Sequence, residues 1–271
     1  MSASAFRTGG RSLRGALSGF VPSVAGGDPD HDITISAGGA RSSDGTASLE
    51  RASPITKKID VDFAEGDNQG GFPSALSLAA NTWYHKFIIG RTSDAVVDAG
   101  FDSNLSAINL LNDATGFSTF RNVGSVLTDS SANIIGFVSI ETNGGGLFIQ
   151  WNAPPLDVDV GNIGTAAAVL RPVSTPLGKK TLAQINAYNF ATVDDGVHFL
   201  SSPNIPDLAP SITTSPLGSL SGNVAGGGAS EARMLPMQVL TDASSQIRSR
   251  DTNSTAGIRI VTMGYTEFRT V

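Results

Sequence analysis

Apolar residues in this chain come in short bursts that alternate with polar ones, and the interval is two residues rather than three or four. Ile59, Val61 and Phe63 alternate with Lys58, Asp60 and Asp62, which predicts a half-buried strand with one wet face. Trp83, His85, Phe87 and Ile89 alternate with Tyr84, Lys86 and Ile88, so both faces of the next strong strand carry large side chains. Similar runs predict strands at 33–35, 96–101, 123–127, 134–140, 147–151 and 156–160, and then at 166–171, 197–200, 234–240, 257–263 and 265–269. The run at 180–188 fits the same pattern, although 181–189 also reads as one helical turn. A short helix fits at 105–111, inside a stretch (102–118) that otherwise reads as a surface excursion.

The breaks between these runs have turn chemistry. Asp129-Ser-Ser-Ala-Asn133 separates two β-rich runs, Glu141 to Gly146 separates the next two, and Pro154-Pro155 cannot donate to a strand ladder. Residues 37–48 read as a polar loop with a hairpin turn around Asp44-Gly45. Residues 201–231 are rich in Ser, Pro and Gly and read as a long loop of the kind that contacts a partner. Strands arriving every ~8–12 residues predict an all-β fold, an antiparallel β-sandwich of jelly-roll-like form. The organisation expected is a flexible basic arm over 1–31 and a sandwich body over 32–271. A second reading divides the body into two packed sub-domains near 160–175.

Composition narrows the function. Only 15% of the 271 residues are charged, and the net charge of −6 lacks the basic footprint that nucleic-acid binding needs. A surface poor in charge and rich in Ser, Thr, Asn and Gly suits a member of a large assembly or a protein outside a cell. No run approaches the ~18 apolar residues of a membrane helix, so membrane insertion is not expected. The absence of cysteine removes disulfides, thiolate metal sites and cysteine nucleophiles together. Arg7, Arg11 and Arg14 lie in a first stretch of 27 residues without an acid, and we read them as a partner-anchoring arm. Its apolar piece, Ala16–Val24, is broken by Ser18, Gly19, Pro22 and Ser23 and makes a poor signal-peptide core.

Candidate chemistry is sparse. His31 sits among Asp28, Asp30 and Asp32, but the alternating carboxylates and distal Glu of a calcium loop are missing. His85 lies inside a strand and reads as structural. His198 follows Asp194-Asp195-Gly196, which is first of all a turn. Gly218-Ser-Leu-Ser-Gly222 places Leu220 where a hydrolase elbow needs its serine. The acid pairs Asp60/Asp62 and Asp157/Asp159 read as solvated strand faces rather than a glycosidase pair. The glycine clusters lack the Lys-Ser/Thr ending of a phosphate loop. No catalytic residue, cofactor or metal is therefore expected. Trp83 and Tyr84 are candidates for stacking on a sugar face, while Trp83 and Trp151 read equally as core anchors.

The wording of the 74–160 region carries one more signal. ANTWY (80–84), FIIGRT (87–92), VVDAGFD (96–102), RNVGSVLTDSS (121–131) and NIIGFV (133–138) resemble a β-rich module of tailed-bacteriophage virion appendage proteins, of the tail-fibre and head-decoration type. The run from Gly257 to Arg269 is similar to the closing strand of such modules, although the shaft repeats of a long fibre are missing. The resemblance implies a non-enzymatic structural component of a virion, either a tail fibre or a short appendage or decoration. It implies assembly in the host cytoplasm, a homotrimer, contacts with other virion proteins and contact with a host cell-surface glycan. The alternatives are a carbohydrate-binding β-sandwich module and a surface-polysaccharide hydrolase.

Overall fold

The computed structural model describes residues 15–143, 145–161, 167–191, 196–209, 219–222, 232–252 and 256–269. Strands β1 (Leu17–Gly19), β2 (Pro22–Val24), β3 (Asp32–Ile35), β4 (Gly38–Arg41), β5 (Ser48–Arg51), β6 (Ile55–Asp62) and β7 (Gln69–Phe72) come first. They pair as two small sheets, β1-β4-β5 and β2-β3-β6-β7, in which only β6 and β7 run parallel. Then β8 (Trp83–Arg91), β9 (Val96–Asp102), helix α1 (Ile108–Asp113) and β10 (Thr119–Leu127) follow, and their strands form the sheet β10-β8-β9.

The remaining strands are β11 (Phe137–Glu141), β12 (Leu147–Trp151), β13 (Leu156–Val160), β14 (Val169–Pro172), β15 (Thr181–Ala191), β16 (Gly196–Ser201), β17 (Ser219–Gly222), β18 (Ala232–Leu240), β19 (Gln246–Asp251) and β20 (Ala256–Glu267). A six-stranded sheet runs β11-β12-β20-β15-β18 with β13 also on β20, and a four-stranded one runs β14-β19-β16-β17.

The all-β class holds, and α1 is the single helix among the described residues. The described strands form five hydrogen-bonded sheets and do not resolve into the two four-stranded sheets of a jelly roll.

Burial gathers in two main clusters. The first unites Phe20, Ile33, Ile55, Tyr84, Ile88, Phe101, Phe137, Trp151 and Tyr265, and the second unites Val158, Ala183, Ile185, Leu200, Ile247 and Ile260. Strand β20 belongs to both. Its first half pairs with β13 and β15 beside the second cluster, and its last half pairs with β12 and β15 and delivers Tyr265 to the first. Gly264 allows this, since a Cβ there would stand 2.1 Å from the Ile149 carbonyl oxygen on β12.

Four expectations change, the first being that the polar loop read over 37–48 holds β4, which pairs with β5 across the expected turn. The stretch at 102–118 is not a surface excursion: the Asp102 carboxylate accepts from the backbone N–H of Asn109 and Leu110 at 2.8 and 2.9 Å, capping α1 from the end of β9. The helix then buries Leu110 in a cluster with Ala107, Ala114, Phe117, Phe87 and Ile89. The loop expected over 201–231 contains β17, which pairs with β16.

The arm expected over 1–31 does not extend over 17–24. Those residues are the strands β1 and β2, and Phe20 is fully buried. The buried Arg269 guanidinium also fastens them, donating to Gly19 O at 2.9 Å and Phe20 O at 3.1 Å. Arg7, Arg11 and Arg14 lie outside the described residues.

If Phe20 is core, Phe20→Ala should lower the unfolding free energy by about 3–5 kcal/mol, the cost of emptying a buried aromatic site. Urea denaturation of the full chain measures it, and an unchanged midpoint would return 17–24 to the status of an arm.

Candidate functional site

The sequence places His85 and Lys86 inside a strand whose two faces are both covered, and the fold buries them: His85 is 3% exposed and Lys86 0%. Two ionisable groups cannot enter a core without partners. The partners come from distant parts of the chain. A bulge in β10 shifts its register against β8 between Asn122 and Gly124, so that Asn122 lies opposite Phe87 and Ser125 opposite His85. Positions 87 and 85 share one face of β8, so the extra residue brings Asn122 and Ser125 to a common face although they are three apart. Gly124 has φ +150° at this bulge, and a Cβ there would press on Leu147 and on the Lys86 side chain at 3.1 and 3.2 Å.

Glu267, at the end of β20, completes the cluster. It lies opposite Leu147 of β12 on one side and Thr181 of β15 on the other, and is 0% exposed. Its Oε1 accepts from Ser125 Oγ at 3.2 Å and from Lys179 Nζ, and Ser125 Oγ lies 3.0 Å from His85 Nδ1. Lys179 Nζ also donates to Asn122 Oδ1. Lys86 Nζ stands 4.6 Å from the Phe137 ring centroid, a cation–π placement, and makes no hydrogen bond. Glu267 Oε2 and the Tyr265 hydroxyl are likewise buried without a hydrogen-bond partner.

Electrostatics follow from burial against charge. Burial pushes the Lys86 ammonium down to about 7, with Glu267 pulling it back and Lys179 and Arg269 pushing further down. His85 is pushed down to about 4, first by burial and then by Lys179, so it is neutral at neutral pH. Burial works to raise the Glu267 carboxyl, but Lys179, Lys86 and His85 outweigh it and hold the group below its ordinary value. The result is one buried carboxylate facing two lysines.

This is not a hydrolase triad. The serine hydroxyl lies between the imidazole and the carboxylate, whereas nucleophile activation needs the imidazole in the middle. All three side chains are also closed to solvent.

Elsewhere, Lys57 (β6) and Asp98 (β9) form a buried pair, Nζ to Oδ1 3.3 Å. His198 lies across from Asp251, Nδ1 to Oδ2 2.9 Å, without the alignment of a hydrogen bond. Asp194 and Asp195 lie outside the described residues. No group of three His, Asp or Glu side chains able to hold a metal occurs among the described residues. No described helix is long and apolar enough to cross a membrane.

The stacking candidates fare differently. Tyr84 is 2% exposed, with its ring 5.2 Å from Phe72, and its hydroxyl accepts from Ala79 N at 2.8 Å. A ring enclosed in this way has no face for a sugar, which corrects the expectation for Tyr84. Trp83 is half-buried against Trp151 and Tyr265, at centroid distances of 5.9 and 6.0 Å. Sequence reading missed Asn122, Lys179 and Glu267. The available signal was His85-Lys86 in a strand with no wet face.

No protein-family model and no curated protein matches this chain. One solved structure found in comparison is a Bacillus thuringiensis Cry1Da tryptic core variant, at 11% identity, with 94% of this chain and 51% of that chain covered. The chain thus spans about half that protein's length, and the TM-score of 0.15 carries no argument about fold or function.

Protonating a buried, neutral His85 costs stability on the acid side. The unfolded imidazole takes its proton near 6.5 and the folded one near 4, so stability is complete above 6.5 and is lost as the pH falls through that window. The loss amounts to about 3 kcal/mol. His85→Gln should flatten the fall in urea midpoint between pH 6.5 and pH 4, and a slope identical to that of the unmodified chain would show that His85 is not its source.

Proposed function

We propose that this chain is a non-enzymatic structural component of a tailed-bacteriophage virion, a tail fibre or short appendage or decoration, that assembles with copies of itself as a homotrimer. The observation that carries the assembly is the outer face of the six-stranded sheet. Val138 and Ile140 of β11 are 55% and 57% exposed, and Met234 of β18 is 65% exposed. Between them lies a groove of about 390 Å³ lined by Phe148, Gln150, Gln184, Asn186, Pro236, Gln238 and Met263 without a single charge. Exposed apolar side chains flanking an uncharged groove mark an interaction site. Carboxamides that both donate and accept suit a neighbour of the same composition.

The virion assignment rests on the resemblance over 74–160 and on the low charge density. The non-enzymatic reading rests on the enclosed Ser125–His85 arrangement. Contact with other virion proteins and with a host-surface glycan belongs to the same proposal, and the enclosure of Tyr84 moves any glycan contact away from that residue.

Light scattering on the purified full chain should return three times 27.8 kDa. Val138→Asp with Ile140→Asp should return a folded monomer. A monomeric unmodified chain at micromolar concentration would remove the trimer, and absence of the protein from purified, protease-washed particles would remove the virion assignment.

A further inference from the structure

We propose that Lys179 and Asn122 are joined by an intramolecular isopeptide bond, with Glu267 as the proton carrier for its formation. The three groups already touch: Lys179 Nζ contacts both Asn122 Oδ1 and Glu267 Oε1. They come from three remote parts of the chain, the bulged strand β10, the residues leading into β15 and the end of β20, so no local turn chemistry accounts for their meeting. The Lys179 side chain is 15% exposed and Glu267 0%. An amine held against a carboxamide in a part-buried site is the arrangement in which proximity replaces a bimolecular encounter.

The charges favour the reaction. Glu267 faces Lys179 and the fully buried Lys86, whose Nζ has no hydrogen-bond partner. The other buried cation acting on Lys86, Arg269, has its own carboxylate in Glu141 at 3.0 Å. A part-buried and a fully buried lysine thus share one carboxylate. Turning Lys179 into an amide removes one cation permanently and leaves Lys86 to face Glu267. This gives a reason for a second lysine that makes no hydrogen bond among the described residues.

The step balances as follows. Glu267 Oε1 takes a proton from the Lys179 ammonium, and the free Nζ adds to Asn122 Cγ. Glu267 passes that proton to Nδ2, which leaves as ammonia as the Cγ–Nδ2 bond breaks, and the second proton of the attacking Nζ then moves through Glu267 to the ammonia. Lys179–NH3⁺ and Asn122–CONH2 thus give a secondary amide and an ammonium ion, with Glu267 again a carboxylate and no oxidant or cofactor consumed. Among the described residues Nδ2 has one weak bond, to Gly124 O at 3.5 Å, so little there holds the leaving group back.

Denaturing intact-mass spectrometry of the full chain, purified folded and incubated at neutral pH, tests this. The chain should be lighter than its sequence by one ammonia, and a digest should contain a branched peptide joining Asn122 to Lys179. Lys179→Arg and Glu267→Gln should each restore the full mass; if the second fails to fold, the first carries the comparison. The full sequence mass in folded, unmodified protein overturns the proposal. Loss of one water does the same, since it points to a carboxyl acceptor such as Asp98 beside Lys57. So does loss of ammonia without the branched peptide, since it points to cyclisation at Asn143-Gly144.

Discussion

A carboxylate taken out of water must be answered by cations and donors, and the end of β20 is built round that requirement. Glu267 is fully enclosed, and it is tolerated because Ser125, Lys179 and Lys86 converge on it from β10, β8 and the segment before β15. Each of these groups is costly to bury alone. Their mutual dependence fixes the register of β20 against β12 and β15: a slip of one residue would turn Glu267 away from its partners and Tyr265 out of the first core. The polar cluster thus contributes specificity, while the apolar clusters contribute the bulk of the burial.

The same strand explains how two cores coexist in one chain. β20 is twelve residues long and has β15 along one edge, with β12 and β13 sharing the other. Its first half contributes Ile258 and Ile260 to the aliphatic cluster that holds Ile185, and its last half contributes Tyr265 to the aromatic group with Trp83 and Trp151. Arg269, just beyond, ties the backbone of Gly19, Phe20 and Gly145 to the same end.

The strands of the first half were legible because alternation reports burial: Ile59 is buried and Asp60 exposed, although Val61, near the end of β6, is 44% exposed and Lys57 takes a buried place on the face of Ile59. The chain from 257 to 269 reads as two runs because Gly264 interrupts it, whereas the glycine is there to let β12 approach, and the strand continues through it. Phe20 looked like part of an arm because its neighbours are Ser, Gly and Pro. It packs in the first core with residues far along the chain, and Arg269 holds its carbonyl, which no local pattern announces. The polar cluster was illegible for the same reason. Asn122 and Ser125 share a face only because of a bulge, and Lys179 and Glu267 reach them across long sequence separations. What the sequence did show was a histidine and a lysine in a strand with no wet side.

The pairing of β12 with β20 has a consequence during synthesis. On the edge away from β11, Leu147 finds its neighbour only when Glu267 has been made, which at ribosomal speeds of ~5–20 residues per second takes on the order of ten seconds. Throughout that interval the nascent chain carries Ile149 and Trp151 beside an open strand edge, the kind of template that recruits other chains.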